Sequence, residues 1–151
     1  MRPGSAVPRF SIIIPALNAA AFLGETLQSV LAQSFADFEV VVIDDGSTDA
    51  TARIARGFQA DDARVKVLVG PGRGVSAARN AGFAASVGPI LLFLDADDLL
   101  FSDSLQRFHA ALDRSGPSAA LGDIARIAED GSPLPGNSNT ALAEGGVHLT
   151  K

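Results

Sequence analysis

Four short apolar runs, each followed within four residues by aspartate, glycine, asparagine or serine, restrict what this 151-residue chain can fold into. They are Phe10-Ser11-Ile12-Ile13-Ile14, residues 39–43, residues 65–69 and residues 90–94. Each is short for a helix and too evenly apolar for a strand with one wet face, so each reads as a strand buried on both sides. Helical spacing fills the gaps. Phe22, Leu23, Thr26, Leu27, Val30 and Leu31 form one apolar stripe; Ala52, Ile54, Ala55 and Phe58 form a second, running to about Gln59; an alanine-rich third covers residues 75–86 before Gly88-Pro89. Pro15 is expected to stop the first strand, Ser47 or Thr48 to cap the second helix, and Ser102 to cap a fourth helix carrying Leu105, Phe108, Ala111 and Leu112. A further strand is expected over 119–127, with a turn at Glu129-Asp130-Gly131.

Strict strand–helix alternation predicts the α/β class: a mostly parallel sheet with helices on both faces. The boundaries that follow are a flexible N-terminus over 1–9, one domain over 10–128, and a Pro-, Gly-, Ser- and Asn-rich loop or disordered tail over 129–151. Hydrophobic residues make up 47% of the chain and charged residues 19%, the balance of a core-forming soluble protein. No apolar run approaches the roughly 20 residues of a membrane-spanning helix. The N-terminus has no apolar segment of the secretory type, so a cytoplasmic location is the expectation.

Cysteine is absent, which excludes disulfides, thiolate metal sites and a cysteine nucleophile. His109 and His148 are the only histidines, so a metal would be held by carboxylates, and a hard cation such as Mg²⁺ or Mn²⁺ is the natural partner. The net charge of −5 gives no footprint for a nucleic-acid partner.

Ligands of parallel α/β sheets bind beyond the carboxyl ends of the strands. Polar and glycine residues gather there in this chain, over 15–18, 44–49, 70–79 and 95–98. Asp95-Ala96-Asp97-Asp98 after the fourth strand can hold a divalent cation against a diphosphate, or can be an acidic turn and helix start. Asp44-Asp45-Gly46-Ser47 offers carboxylate acceptors to a base or ribose, or forms a capped turn. Gly72-Arg73-Gly74 with Arg79-Asn80 can bring backbone N–H groups and a guanidinium to phosphates, or form a surface loop with a paired arginine. A dinucleotide-binding dehydrogenase is excluded, because the chain reads Pro15-Ala16-Leu17-Asn18-Ala19-Ala20 where G-x-G-x-x-G is required. A sugar nucleotidyltransferase would place its glycine loop after the first strand, and a receiver domain would need a lysine that neither Lys66 nor Lys151 supplies.

Taken in order, Ile12-Ile13-Ile14-Pro15-Ala16-Leu17-Asn18, Val41-Val42-Ile43-Asp44-Asp45-Gly46-Ser47-Thr48-Asp49, residues 74–82 (Gly-Val-Ser-Ala-Ala-Arg-Asn-Ala-Gly) and Leu94-Asp95-Ala96-Asp97-Asp98 resemble the family 2 glycosyltransferases. The resemblance covers about residues 10–105. It implies a GT-A fold, a Rossmann-like domain that binds a nucleotide-diphosphate sugar, UDP-linked by preference, with Mg²⁺ or Mn²⁺, and transfers the sugar with inversion. By the same resemblance Pro15, Ala16 and Asn18 line the nucleoside pocket, Asp45 contacts the base with Asp44 beside it, and Arg79 lies near the phosphates. Asp97 ligates the metal, with Asp95 shared between ribose and metal.

Leu17 stands where an aromatic residue is common in the family and Gly72 where an asparagine is common, which removes base stacking from the first position and a side-chain contact from the second. The family's catalytic base is an acidic residue downstream of the metal motif. It is expected to lie beyond this chain, which then resembles the N-terminal portion of a longer enzyme; Glu129-Asp130, placed just before Gly131, reads as a turn. The acceptor is not legible. Polysaccharide or glycoconjugate assembly is the implied setting, with peripheral association at the inner face of the membrane and homodimerisation through exposed apolar surface as further expectations. The competing reading is a noncatalytic nucleotide-sugar-binding or interaction module.

Overall fold

The computed structural model describes residues 7–113, 119–122, 128 and 147–150. The chain divides into two compact units, Met1–Ser102 and Asp103–Lys151. The first unit closes at Ser102, once the parallel strands and the helices between them are complete.

That first unit runs β1 (Phe10–Ala16), α1 (Leu23–Leu31), β2 (Phe38–Asp44), α2 (Thr51–Asp61), β3 (Val65–Val69), α3 (Val75–Ala85) and β4 (Ile90–Phe93). The strands form a parallel sheet in the order β3-β2-β1-β4. The chain steps one way from β1 through β2 to β3, then reverses past them to reach β4. Because parallel crossovers are right-handed, α1 and α2 lie on one face and α3 on the other. Both faces of the central strands are therefore dry: Ile12, Ile13, Ile14, Val40, Val41, Val42 and Ile43 are all fully buried. Each such side chain is worth roughly 1.5–3 kcal/mol against exposure. Val41 and Ile43 pack with Ala78 of α3. Gly82 lets that helix sit flush, since a Cβ there would come 2.4 Å from Ile13 Cγ2.

Pro15 does not end β1, which continues to Ala16 in register with Asp44. The even-numbered residues of β1 bond toward β2, as in Asp45 N–H to Ala16 O at 2.9 Å, and the odd-numbered ones toward β4, as in Leu94 N–H to Ile13 O at 3.1 Å. Pro15 thus presents its missing donor on the β4 side, beyond the last paired residue of β4, Phe93, and no ladder bond is lost.

A buried polar cluster ties the strands together near their amino ends. Glu39 accepts from Ser11 Oγ (2.6 Å), Lys66 Nζ (2.6 Å) and Val87 N–H (2.8 Å), and Ser11 Oγ in turn accepts from Gly88 N–H (2.9 Å). Burial works to raise the Glu39 pKa, but Lys66, Ser11 and Val87 together outweigh it and hold the carboxyl below its usual range.

In the second unit, α4 (Ser104–Asp113) packs against β5 (Ala119–Gly122) and β6 (Val147–Thr150), which pair antiparallel. Strand β6 corrects the expectation of loop or disorder over 129–151 at those residues: backbone pairing with β5 satisfies groups that composition alone gave no partner. Helix α4 begins at Ser104, two residues past the expected cap Ser102. The expected strand over 119–127 is observed at Ala119–Gly122; its remainder, the Glu129-Asp130-Gly131 turn and most of the 1–9 segment lie outside the described residues.

Candidate functional site

The segments leaving the carboxyl ends of β1, β2 and β4 and the start of α3 enclose a cleft of about 440 Å³ in the first unit. Pro15, Ala16, Leu17, Asn18 and Phe22 supply one wall, Asp45 the floor beside β2, Val75, Ala78 and Arg79 the α3 side, and Asp95, Ala96 and Asp97 the β4 side. Seven of the eight residues singled out by the sequence line it. Asp44 does not: its Oδ1 accepts the Ser47 N–H at 3.2 Å and shapes the turn behind the cleft.

The cleft walls are held by side chains that the sequence offered as ligand contacts. Asn18, at φ 50°, donates its N–H to Ser47 Oγ (3.0 Å) and accepts from Thr48 N–H at Oδ1 (2.8 Å), clasping the loop after β1 to the loop after β2. Ser47 and Thr48 are therefore engaged with Asn18 rather than capping α2. That helix starts at Thr51, and Asp49 serves its first turn by accepting the Thr51 N–H at 2.9 Å, while its other oxygen accepts the Ala20 N–H of the β1–α1 segment at 3.1 Å. Hydrogen bonds from the Thr51 hydroxyl and backbone hold the Asp49 carboxyl below its ordinary range.

Asp45 is buried, and both its oxygens are engaged: Oδ1 accepts the Gly72 N–H at 2.7 Å and Oδ2 the Gly74 N–H at 2.8 Å. Gly72 (φ 67°) and Gly74 (φ 93°) adopt the left-handed backbone that aims these N–H groups at one carboxylate. Asp45 therefore fastens the glycine loop that leads into α3, and two of its roughly four acceptor positions remain for a ligand.

On the opposite side, Thr26 of α1, fully buried, donates to Ala96 O at 2.8 Å. Ser29 Oγ receives the Leu100 N–H at 3.1 Å, and Gln33 Nε2 donates to Phe101 O at 2.7 Å. Helix α1 thus fixes the segment after β4 so that Ala96 points inward while Asp95 and Asp97 are exposed. Arg79 Nη2 binds Asp95 Oδ1 at 2.6 Å, joining α3 to the acidic motif. Burial first, and the neighbouring charges of Asp97 and Asp95 after it, push the Asp98 carboxyl above its usual range.

Carboxylates without thiolates could hold only a hard cation. Among the described residues no group of three acidic or imidazole side chains converges into a complete cage. That fits Mg²⁺ or Mn²⁺, which takes one or two carboxylates and draws its other ligands from water and substrate phosphates. Arg79 Nε, buried and without a hydrogen-bond partner, is an unspent donor on the same wall.

Phe22 is the lining residue that sequence reasoning assigned elsewhere. Its spacing placed it in the packed stripe of α1, yet α1 starts one residue later and the ring is 53% exposed at the cleft. A residue at a helix boundary satisfies the period without sharing the burial, so periodicity carried no signal for it.

Among solved structures, a mannosyltransferase from Pyrobaculum calidifontis in complex with GDP-Man and Mn²⁺ superposes with a TM-score of 0.71 at 26% identity, covering 81% of this chain and 37% of that one. TarS from S. aureus in complex with UDP-GlcNAc superposes at 0.66 and 29% identity, covering 85% and 37%. The fold is accordingly the GT-A type of α/β domain. A PGL/p-HBAD biosynthesis glycosyltransferase from Mycobacterium bovis is 43% identical over 122 residues, 79% of this chain and 48% of its own length. An uncharacterized glycosyltransferase, EpsJ, from Bacillus subtilis is 37% identical over 101 residues, 67% and 29%. The chain spans less than half the length of these relatives. Among the described residues no helix is long and apolar enough to cross a membrane. The family description "Glycosyl transferase family 2" matches residues 11–147, nearly the whole sequence, and the chain belongs to that family.

Proposed function

We propose that this chain carries the donor side of an inverting glycosyl transfer, binding a nucleotide-diphosphate sugar across the carboxyl edge of its sheet with Mg²⁺ or Mn²⁺. The observation that carries this reading is that the end of β1, Asp45, Arg79 and the Asp95–Asp97 pair, up to 82 residues apart in sequence, line one cleft. Asp97 and Asp95 would hold the cation. Pro15, Ala16 and Asn18 flank the nucleoside, Asp45 offers its remaining acceptor capacity to the imide N–H of uracil, Asp44 supports it from behind, and Arg79 meets the phosphates.

In the reaction the acceptor hydroxyl oxygen attacks the anomeric carbon, the bond from that carbon to the diphosphate oxygen breaks, and the hydroxyl proton passes to a base. The cation, when bound, neutralises charge gathering on the departing diphosphate. This chain's residues orient the donor, shield its anomeric carbon and keep the diphosphate in a field that favours departure. We assign the base to no described residue; Glu129 and Asp130 lie outside them. UDP as the nucleotide is favoured by the acceptors of Asp45 and by the similarity to TarS with UDP-GlcNAc. Glycoconjugate assembly as the setting is favoured by the named role of the mycobacterial relative.

Calorimetry with UDP and GDP, with and without Mn²⁺, tests the reading. Mn²⁺-dependent binding is expected, and Asp97→Ala should weaken it by about 30-fold, roughly 2 kcal/mol, while the fold persists, because one charged ligand to a hard cation is lost. Unchanged affinity in that variant would remove Asp97 from the metal site. Absent or metal-independent binding would favour the interaction-module reading.

A further inference from the structure

The Arg79–Asp95 ion pair places a guanidinium where the acidic motif would otherwise receive a metal. Arg79 Nη2 lies 2.6 Å from Asp95 Oδ1, with side chains 36% and 52% exposed, so the contact opens to the cleft and can exchange partners. Exposed pairs of this kind are worth only about 0.2–1 kcal/mol. Arg79 also has something to exchange for: its buried Nε has no hydrogen-bond partner, and the guanidinium fork matches a phosphate as well as a carboxylate. Asp97, one residue beyond Ala96, is exposed and receives no arginine among the described residues. One aspartate of the motif is thus committed to an internal cation while its neighbour is free.

From this geometry, and resting on the metal-and-donor reading above, we propose that Arg79 acts as a resident counter-cation on Asp95 that a nucleotide diphosphate draws away, so that the divalent cation binds well only together with the nucleotide. Before donor arrives, Arg79 neutralises Asp95 and repels a metal. When the diphosphate enters beside α3, Arg79 turns its donors to the phosphate oxygens and Asp95 becomes available beside Asp97. Metal and nucleotide then promote each other by an equal factor, since coupling between two ligands is reciprocal.

Mn²⁺ titration of the 151-residue chain, followed by the loss of the free-ion electron paramagnetic resonance signal, reads this directly. In the unaltered chain, saturating UDP should tighten Mn²⁺ at least tenfold beyond what UDP binds in protein-free solution. Arg79→Gln should tighten Mn²⁺ alone by about three- to fivefold, in line with the strength of an exposed pair, and should shrink the UDP effect by at least the same factor. Arg79→Met, equally uncharged, should behave alike. Arg73→Gln removes a charge of the same sign from the glycine loop without touching Asp95 and should leave the affinity within twofold. The inference is overturned if the Arg79 variants bind Mn²⁺ alone no better than the unaltered chain, or if Arg73→Gln matches them, since the effect would then be a general field. Asp97→Asn separates this from the underlying reading: if it leaves Mn²⁺ binding intact in both backgrounds, the metal site itself is misplaced.

Discussion

The two ends of the parallel sheet use the same functional group to opposite ends. Near the strands' amino ends, Glu39 is buried and meets a hydroxyl, a backbone N–H and the Lys66 ammonium, so its charge is matched from several directions. At the carboxyl ends, Asp95, Asp97 and Asp98 crowd one another, and Arg79 alone among the described cations pairs with them. A carboxylate whose partners are all within the chain stabilises the fold and has nothing left to offer. Carboxylates in excess of their partners cost stability and are retained where a ligand completes them. Asp45 stands between these cases: each oxygen holds one loop N–H, yet the carboxylate lies on the cleft floor with acceptor capacity to spare.

Breaking the amino-end cluster should have the largest effect on the fold. Glu39→Ala strands Ser11 Oγ and the Val87 N–H and removes the Lys66 pair, so a loss of about 3 kcal/mol is expected in urea unfolding. The pH dependence follows from the depressed pKa of Glu39. Its contribution is fully present above the unfolded glutamate value of about 4.3 and disappears as pH falls through the lower folded value. The gap between the unaltered chain and Glu39→Gln should therefore be constant from pH 7 to about 5 and narrow below about 4. A gap that widens in acid would contradict the assigned ionisation.

A smaller loss is expected where the two roles meet. A Cβ at Gly70 would lie 2.5 Å from Asp45 Oδ1 and 2.9 Å from Asp45 Cα, and the backbone contact cannot swing aside. Gly70→Ala should cost about 2 kcal/mol of stability through overpacking. Because the displaced group is the carboxylate that fastens Gly72 and Gly74, UDP affinity should fall as well. A change in affinity without a change in thermal midpoint would mean that the loop yields locally and that Asp45 is less of an anchor than its contacts suggest.

Most of the first unit was legible because dry parallel strands must be apolar throughout, and Ile12-Ile13-Ile14 and Val40-Val41-Val42-Ile43 announce themselves. The cleft lining was legible for the related reason that strand ends gather ligand chemistry, so 15–18, 45, 79 and 95–97 were found by position. What was missed depends on tertiary direction rather than residue type. Nothing in Asn18 or Asp45 says that the side chain binds a neighbouring loop, because turn formation, ligand contact and loop clasping all use the same acceptors. Thr26 sits in an apolar helical row, and only the structure turns its hydroxyl onto Ala96 O. Pro15 misled because its cost depends on which neighbour strand its missing N–H faces, and strand order is not written in a local window.

The smallest expected effect sharpens the contrast at its carboxyl end, where the exposed ring of Phe22 faces the same cleft as Leu17. Leu17 cannot stack on a base, which leaves Phe22 as the aromatic face on that wall, and one aromatic contact to a base or sugar is worth about 1 kcal/mol. Phe22→Ala should therefore weaken UDP binding by about fivefold. Since the ring is half exposed and lies outside the packed stripe of α1, the unfolding midpoint should move little. Comparing uridine, UDP and a UDP-sugar locates the contact: an equal loss for all three places the ring on the base, while a loss confined to the UDP-sugar places it on the transferred residue. No loss for any of them would make Phe22 a bystander at the cleft mouth and leave that wall to Leu17.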